Sequence, residues 1–223
     1  MAVPVLNEAP RLAATLGPVL ESGCECVVVD GGSTDDTVAI ARSLGARVMS
    51  APRGRASQMN AGASTVGDAQ VLVFLHADVR LPADWKQAVV RAIERGSGWG
   101  RFDVVLDSPH RLLRLVGFMM NLRSRWTGIA TGDQTLFLSR AAWEAVNGFP
   151  PIPLMEDIQL SAALLKTVGR PACLHERVTV SARRWTRHGI VRTILVMWGL
   201  RGLHALGVSP ASLHRLYYGR DHA

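Results

Sequence analysis

An α/β fold with an open, mostly parallel sheet flanked by helices is what the sequence predicts, and three observations predict it. Short apolar runs alternate with helix-like segments through the first hundred residues. Two of the runs, Val27-Val28-Val29 and Val71-Leu72-Val73-Phe74-Leu75, are continuously apolar, as strands buried on both faces are. The 223 residues are 48% hydrophobic and 19% charged, enough for one domain with a substantial core. No repeat, low-complexity tract or Ser/Gly linker marks a further boundary, so residues 1–223 are read as a single domain.

The elements follow in order. Strands are expected at 2–6, 24–30, 46–49 and 70–76, and helices between and after them at 10–21, 36–44, 56–65 and 82–95. Ligands of such sheets sit outside the carboxyl ends of the strands, so the residues just after each run carry the functional interest. Beyond residue 100 the pattern loosens. Strands are expected at 101–106 and 135–138, with a short helix at 139–146 capped by Ser139 and a longer one at 156–168 ended by Gly169. Two further amphipathic helices, 109–125 and 186–206, combine apolar runs with arginine.

Composition excludes several classes. No run of about 18 uncharged apolar residues exists, which argues against a membrane-spanning helix. Residues 1–30 reach Asn7, Glu8 and Arg11 at once, unlike a secretory leader. Cys24, Cys26 and Cys173 are odd in number, and their C-x-C spacing fits neither a redox pair nor a zinc knuckle; buried thiols in a reducing cytoplasm are expected. The net charge is +7, yet from residue 183 onward seven arginines face the single Asp221, so that segment alone carries +6. Such an end suits nucleic acid, anionic lipid or a phosphorylated substrate, and charge does not choose among them. Stacking aromatics are sparse there and no helix-turn-helix or zinc pattern appears, so no nucleic acid partner is expected.

Seven segments could carry chemistry. Pro4-Val5-Leu6-Asn7-Glu8 stands where a dinucleotide-binding fold needs G-x-G-x-x-G, which argues against a nicotinamide or flavin enzyme; as plain structure it is a helix start capped by Asn7. Asp30-Gly31-Gly32-Ser33-Thr34-Asp35 follows the second run. There Asp30 can hold a ribose or base edge, while capping accounts for Thr34 to Asp36. Arg53-Gly54-Arg55, with Gln58 and Asn60, opens the third turn and suits phosphate oxygens, though surface arginines are often just solvated. His76-Ala77-Asp78 leaves a carboxylate at the end of a central strand, costly unless paired or metal-bound, so Asp78 is the first-choice ligand for Mg2+ or Mn2+. His76 is the weaker candidate, since imidazole suits Mn2+ better than Mg2+. Glu156-Asp157 opens a helix, where carboxylates are ordinary first-turn chemistry but can also supply a general base. Gly132-Asp133-Gln134 reads as a turn with a possible grip on a hydroxylated substrate, and Arg183-Arg184-Trp185 as a phosphate contact beside a core or interfacial tryptophan.

In this order, the segments resemble family 2 glycosyltransferases of the GT-A group, which use nucleotide-activated sugars. Pro4 to Glu8, Asp30 to Asp35, His76-Ala77-Asp78 in place of Asp-x-Asp, and Glu156-Asp157 in place of the catalytic Glu-Asp carry the resemblance. Arg53-Gly54-Arg55-Ala56, Gln58, Asn60, Gly62 and Gly132-Asp133-Gln134 narrow it to a bacterial subgroup named for radical-SAM or selenium-related gene neighbours. The resemblance implies a GT-A fold with a nucleotide-binding half at 1–100, an acceptor and catalytic half at 101–182, and a basic amphipathic segment at 183–223. It implies that Pro4, Val5, Asn7, Glu8, Asp30, Gly31, Ser33, Arg53, Arg55, Asn60, His76, Ala77 and Asp78 bind the nucleotide-diphosphate sugar. Gly132, Asp133, Gln134, Arg184 and Trp185 would meet the acceptor, Asp157 with Glu156 would be catalytic, and Asp78 alone among motif side chains would ligate Mg2+ or Mn2+. Two departures stand out: His76 replaces the first acidic residue of Asp-x-Asp, and few residues precede Asn7 where relatives have a longer first strand.

The reaction so implied is inverting transfer of a sugar to a hydroxyl acceptor, with Asp157 taking the proton and a nucleoside diphosphate leaving. A sugar nucleotidyltransferase is the rival enzyme class, and it lacks its glycine-rich, basic N-terminal turn here. For the C-terminal segment, residues 193–200 are apolar and flanked by Arg192 and Arg201. Two readings stand: a helix packed on the catalytic domain, or one lying on the anionic inner face of the cell membrane and presenting a lipid-linked acceptor. A cytoplasmic protein, peripheral at that membrane, is the expected location.

Overall fold

The computed structural model describes residues 1–219; Arg220 and Asp221 of the basic segment lie outside the described residues. Its strands are β1 (Ala2–Val5), β2 (Val27–Asp30), β3 (Arg47–Ser50), β4 (Val71–Phe74), β5 (Val79–Arg80), β6 (Trp99–Asp107), β7 (Leu136–Ser139) and β8 (Ala172–Ser181). They form one sheet in the order β3-β2-β1-β4-β7-β6-β8-β5. β3, β2, β1 and β4 run parallel, β7 lies antiparallel between β4 and β6, β8 runs parallel to β6, and β5 closes the edge antiparallel.

The sheet is covered on both faces because its central strands are apolar on both. Val28, Val73 and Leu75 point into one core with Leu12 and Leu16 of α1 (Ala9–Glu21) and Trp85 and Val89 of α4 (Trp85–Glu94). Val27, Val29, Leu72 and Phe74 point into the other, with Met59 of α3 (Arg55–Ser64) and Leu160 and Leu164 of α7 (Glu156–Thr167). The buried α1 residues Leu12, Thr15, Leu16 and Val19 recur at the three- and four-residue spacing of one helical stripe. α2 (Thr37–Ser43), α5 (Arg111–Thr127) and α6 (Arg140–Ala145) complete the two layers.

The topology sets the site. Parallel pairing of β2, β1 and β4 brings the carboxyl ends of these strands together, and so the segments after Val5, Asp30 and Phe74. Antiparallel pairing of β7 with β4, in register Phe74 with Leu136, brings the short 3₁₀ turn Gly132–Gln134 to the same end.

Three expectations are corrected. The helix expected at 186–206 is two, α8 (Arg183–His188) and α9 (Ile190–Ala205), because Gly189 between them takes φ 82° and ψ 140°. β5, β8 and α10 (Pro210–Tyr218) were not anticipated. Of the cysteines only Cys26 is buried, its thiol pushed up to about 11 by that burial, while Cys24 and Cys173 are half-buried. α9 and α10 dock by a third small cluster in which Leu200 and Leu213 meet Met155. Full burial of each leucine contributes about 1.5–3 kcal/mol.

Candidate active site

The loops after β1 and β2 are zipped together by polar side chains. Asp30 is 6% exposed, and its carboxylate accepts the backbone N–H groups of Gly32 (3.1 Å) and Ser33 (3.0 Å). Ser33 Oγ accepts the Asn7 N–H at 3.0 Å, and Asn7 Oδ1 accepts that of Thr34 at 2.8 Å. Asn7 therefore bridges two loops rather than capping α1, and it does so at φ 54°. Asp35, not Ser33 or Thr34, holds the start of α2 by accepting the Thr37 N–H at 3.0 Å. Gln58, buried on α3, donates to the carbonyls of Val5 (2.9 Å) and Val29 (2.7 Å) and so ties the ends of β1 and β2. A Cβ on Gly31 would stand 3.0 Å from the Gln58 side chain, which is the physical reason for glycine there.

The next segment supplies the centre. His76 is buried with its ring against Gly132, where a Cβ would fall 2.3 Å from Cε1 and Nε2. Its Nδ1 lies 3.5 Å from Asp133, and its Nε2 is buried without a hydrogen-bond partner. Ala77 offers its carbonyl to Thr15 Oγ1 at 2.8 Å. Asp78 is half-buried, and its carboxylate makes no hydrogen bond or ion pair among the described residues. Burial works to raise the Asp133 carboxyl. The His76 hydrogen bond and the charges of Arg184, His76 and Arg55 outweigh it and hold the group well below the usual carboxylate range.

α7 completes the site from the other side. Met155 enters the helix at φ 69°, a left-handed conformation that methionine adopts at a cost of about 1–3 kcal/mol and that aims the following two carboxylates. Asp157 Oδ2 accepts the Gly132 N–H at 2.8 Å and Oδ1 the Ile158 N–H at 2.7 Å. Glu156 is 4% exposed; burial first, and the neighbouring Asp157 second, push its carboxyl up, with Arg55 pulling the other way. Desolvation lowers Arg55 itself. Glu156, then the Tyr218 phenol, Asp133 and Asp157 more than offset that, holding the guanidinium above its ordinary value.

Contacts and charges thus bring together His76, Arg55, Gly132, Asp133, Glu156, Asp157 and Arg184, with Ala77 and Asp78 following His76 along the chain. Gln134 is buried beside them, its amide donating to Ser124 Oγ at 3.0 Å. Glu8 pairs with Arg11 (3.6 Å) and with Arg183 (3.3 Å), fastening the C-terminal segment to the first loop. Four expected ligand contacts are otherwise engaged. Both polar atoms of the Asn60 amide pair with the Phe149 backbone at 2.9 Å, away from any ligand. Trp185 packs against the core cluster that holds Trp85 and Val180. Pro4 is buried within β1, and the Val5 carbonyl is taken by Gly31 N–H and Gln58. Arg53 is exposed and pairs with nothing among the described residues.

Sequence reasoning missed the basic residues behind this centre. Arg101 is fully buried in β6, bonded to Asp103 and, at 3.1 Å, to the Asn121 carbonyl; Asp103 also accepts from Arg125 at 2.7 Å. Arg101 and Asp103, two apart on a strand, share one face, and that spacing was the available signal. Arg123 on α5 has Nε and Nη2 buried without partners. Burial first, and then Arg201, push its guanidinium down to about 10, with Asp157 opposing.

The chain resembles known proteins in sequence and in fold. Residues 1–141 match the sequence profile of Glycosyl transferase family 2. An "uncharacterized glycosyltransferase" of Rickettsia felis is 52% identical over 46 residues, 21% of this chain and 16% of that protein, and one of Rickettsia conorii is 50% identical over the same length. Among solved structures, S. aureus TarS 1-349 superposes with TM-score 0.63 at 16% identity, over 81% of this chain and 59% of TarS. Glucosyl-3-phosphoglycerate synthase from Mycobacterium tuberculosis, in complex with Mn2+, UDP and glucosyl-3-phosphoglycerate, gives 0.59 at 18% identity, over 80% of this chain and 68% of that one. The mannosyltransferase PcManGT from Pyrobaculum calidifontis, with GDP-Man and Mn2+, gives 0.58 at 22% identity, over 79% of this chain and 55% of its own. The fold these share is the GT-A glycosyltransferase fold, and with more than half its length matched, the chain belongs to glycosyl transferase family 2.

Proposed function

We propose that this protein is an inverting glycosyltransferase that moves a sugar from a nucleotide-diphosphate sugar to a hydroxyl acceptor, with Asp157 as general base. One observation carries the reading: Asp157 is bonded to the same turn, Gly132–Gln134, that packs on His76, two residues before Asp78. That contact supports a common site at the carboxyl end of the sheet, with the base and the segment carrying Asp78 on either side of the turn.

Asp30, with the loop amides it orders, faces the nucleoside. Asp78 is placed for a divalent cation: its carboxylate is unpaired, the neighbouring His76 Nε2 is an unsatisfied buried nitrogen, and a hard oxygen donor suits Mg2+ or Mn2+. No group of three or more His, Cys, Asp or Glu gathers for a metal among the described residues, so Asp78 would hold the ion together with diphosphate oxygens. Such an ion supplies Lewis-acid stabilisation to the departing diphosphate. Arg55 and Arg184, beside Asp133, add positive charge at the same place. Glu156 is pushed up by burial and then by Asp157, and Asp157, held by the Gly132 N–H, is the carboxylate assigned to accept the proton of the incoming hydroxyl. A single displacement inverts the anomeric carbon, and no second nucleophile is assigned.

Two of the solved structures named above hold UDP or GDP-Man with Mn2+, which supports a uridine or guanosine diphosphate sugar as donor. Membership of the bacterial subgroup remains part of the proposal, supported by Arg53 to Ala56 and Gly132 to Gln134. A peripheral membrane position with a lipid-linked acceptor is supported by an exposed stripe on α9, Val191, Leu195 and Trp198, each more than 60% exposed, beside Arg187 and Arg192. No helix among the described residues is long and apolar enough to cross a membrane. The deciding experiment is a thermal-shift panel of nucleoside diphosphates and nucleotide sugars with and without Mg2+ or Mn2+. A cation-dependent rise with one nucleotide supports the reading, and no rise with any of them overturns it. Flotation with anionic vesicles at low salt tests the membrane position, which fails if the protein stays at the bottom.

A further inference from the structure

Arg123 is half-buried, and its Nε and Nη2 are shut off from solvent with no hydrogen-bond partner among the described residues. It lies near the end of α5, flanked by Ser124, which accepts from Gln134 at 3.0 Å, and by Arg125, which is spent on Asp103 and on the Cys173 carbonyl. Gln134 belongs to the turn that holds Asp157, and the Asp157 charge acts on the Arg123 guanidinium. Arg201 on α9 follows Leu200, whose cluster includes Met155 just before Glu156-Asp157, and its charge also acts on Arg123. Leaving a guanidinium desolvated with two nitrogens unbonded is unfavourable, and a second arginine in its field makes it more so. A structural role would supply a carboxylate or carbonyls, as Arg101 and Arg125 receive. A missing anion that arrives with the substrate accounts for the arrangement, and the planar guanidinium fork fits a phosphate. The ends of β1, β2 and β4 lie on one side of the Gly132–Gln134 turn, and α5, which packs on β6, meets that turn from the other through Ser124 and Gln134, the side we assign to the acceptor.

We infer that Arg123 and Arg201 form an anion subsite beside Asp157, and that the acceptor carries a phosphate group close to the hydroxyl that receives the sugar. This rests on the transferase reading above for the word acceptor, but the anion subsite stands on its own geometry.

The test is a thermal-shift titration of inorganic phosphate against chloride at matched ionic strength, on the parent, Arg123→Gln, Arg123→Lys and Arg201→Gln, then repeated in saturating UDP or GDP with Mg2+. Support is a phosphate-dependent rise in the parent that persists with nucleotide bound and needs about ten- to a hundredfold more phosphate in Arg123→Gln and Arg201→Gln. Arg123→Gln itself should melt no lower than the parent, since it removes a charge whose Nε and Nη2 are buried without partners, whereas loss of a structural arginine would lower it. No phosphate response in the parent, an equal response in the Gln variants, or phosphate displaced by nucleotide overturns the inference. If Arg123→Gln fails to fold, Arg123→Lys and Arg201→Gln carry the comparison. A nucleotide that does not bind sinks the transferase reading while leaving the nucleotide-free comparison decisive here. Glycerol 3-phosphate against short-chain phosphatidic acid in phosphatidylcholine vesicles separates the sources: tighter binding of the vesicles assigns a lipid phosphate, and equal or tighter binding of the soluble ester a soluble one.

Discussion

Asp157 Oδ2 accepts the backbone N–H of Gly132 at 2.8 Å, so the carboxylate proposed as base is aimed by a turn rather than by another side chain. Asparagine keeps a carbonyl oxygen for that bond and loses the charge. Asp157→Asn is therefore expected to fold and to bind nucleotide like the parent while kcat falls about 10²–10⁴-fold. Steady-state kinetics beside nucleotide calorimetry checks both halves; transfer at the parent rate would remove Asp157 as base.

The same turn depends on a missing methyl group. A Cβ at residue 132 would stand 2.3 Å from the His76 ring, which neither partner can absorb without moving. Gly132→Ala should cost about 1–3 kcal/mol as overpacking. In a chain that also carries His76→Ala the penalty should shrink, a coupling that denaturant melts of the four-member cycle measure. Additive losses would show that the contact is not what constrains residue 132.

Much of this was legible in the sequence, for reasons that also mark where legibility stops. Val27 to Val29 and Val71 to Phe74 announce buried strands because both faces are apolar; Asp30 stands out because it ends its strand, and Asp78 because a carboxylate follows four residues after the other, in the turn before β5. β8 is silent: only Val178 and Val180 of its ten residues are buried, so the period-two signal is confined to one end. Met155 shows nothing in sequence of its left-handed backbone, which tertiary packing imposes on an ordinary residue. Arg123 looks like any arginine of an amphipathic helix, and only the fold reveals that it lacks a partner.

The Asp78 carboxylate makes no hydrogen bond or ion pair among the described residues, so removing its charge should leave the fold unchanged and tell only on ligands. Asp78→Asn is expected to melt like the parent and to bind nucleoside diphosphate alone as the parent does. The increment in affinity that Mg2+ or Mn2+ brings should be lost. Calorimetric titration of nucleotide with the cation and with EDTA measures that increment; if it survives in the variant, the ion is held elsewhere.

Glu156 gives a prediction in pH. Its carboxyl is raised in the folded protein by burial and by Asp157, so between the ordinary glutamate value and the raised one the folded state holds a proton that the unfolded chain has released. The unfolded state binds fewer protons there, and stability must fall as pH rises through that window. The preference is fully present below the ordinary glutamate value and gone above the raised one. Glu156→Gln keeps the shape and removes the titration. Its melting temperature relative to the parent should therefore increase as pH is taken from mildly acidic to neutral, Arg55 losing one of its several carboxylate neighbours but keeping Asp133 and Asp157. Melts of both proteins across that range decide it: a difference that does not change with pH would mean that the Glu156 carboxyl is not raised by folding.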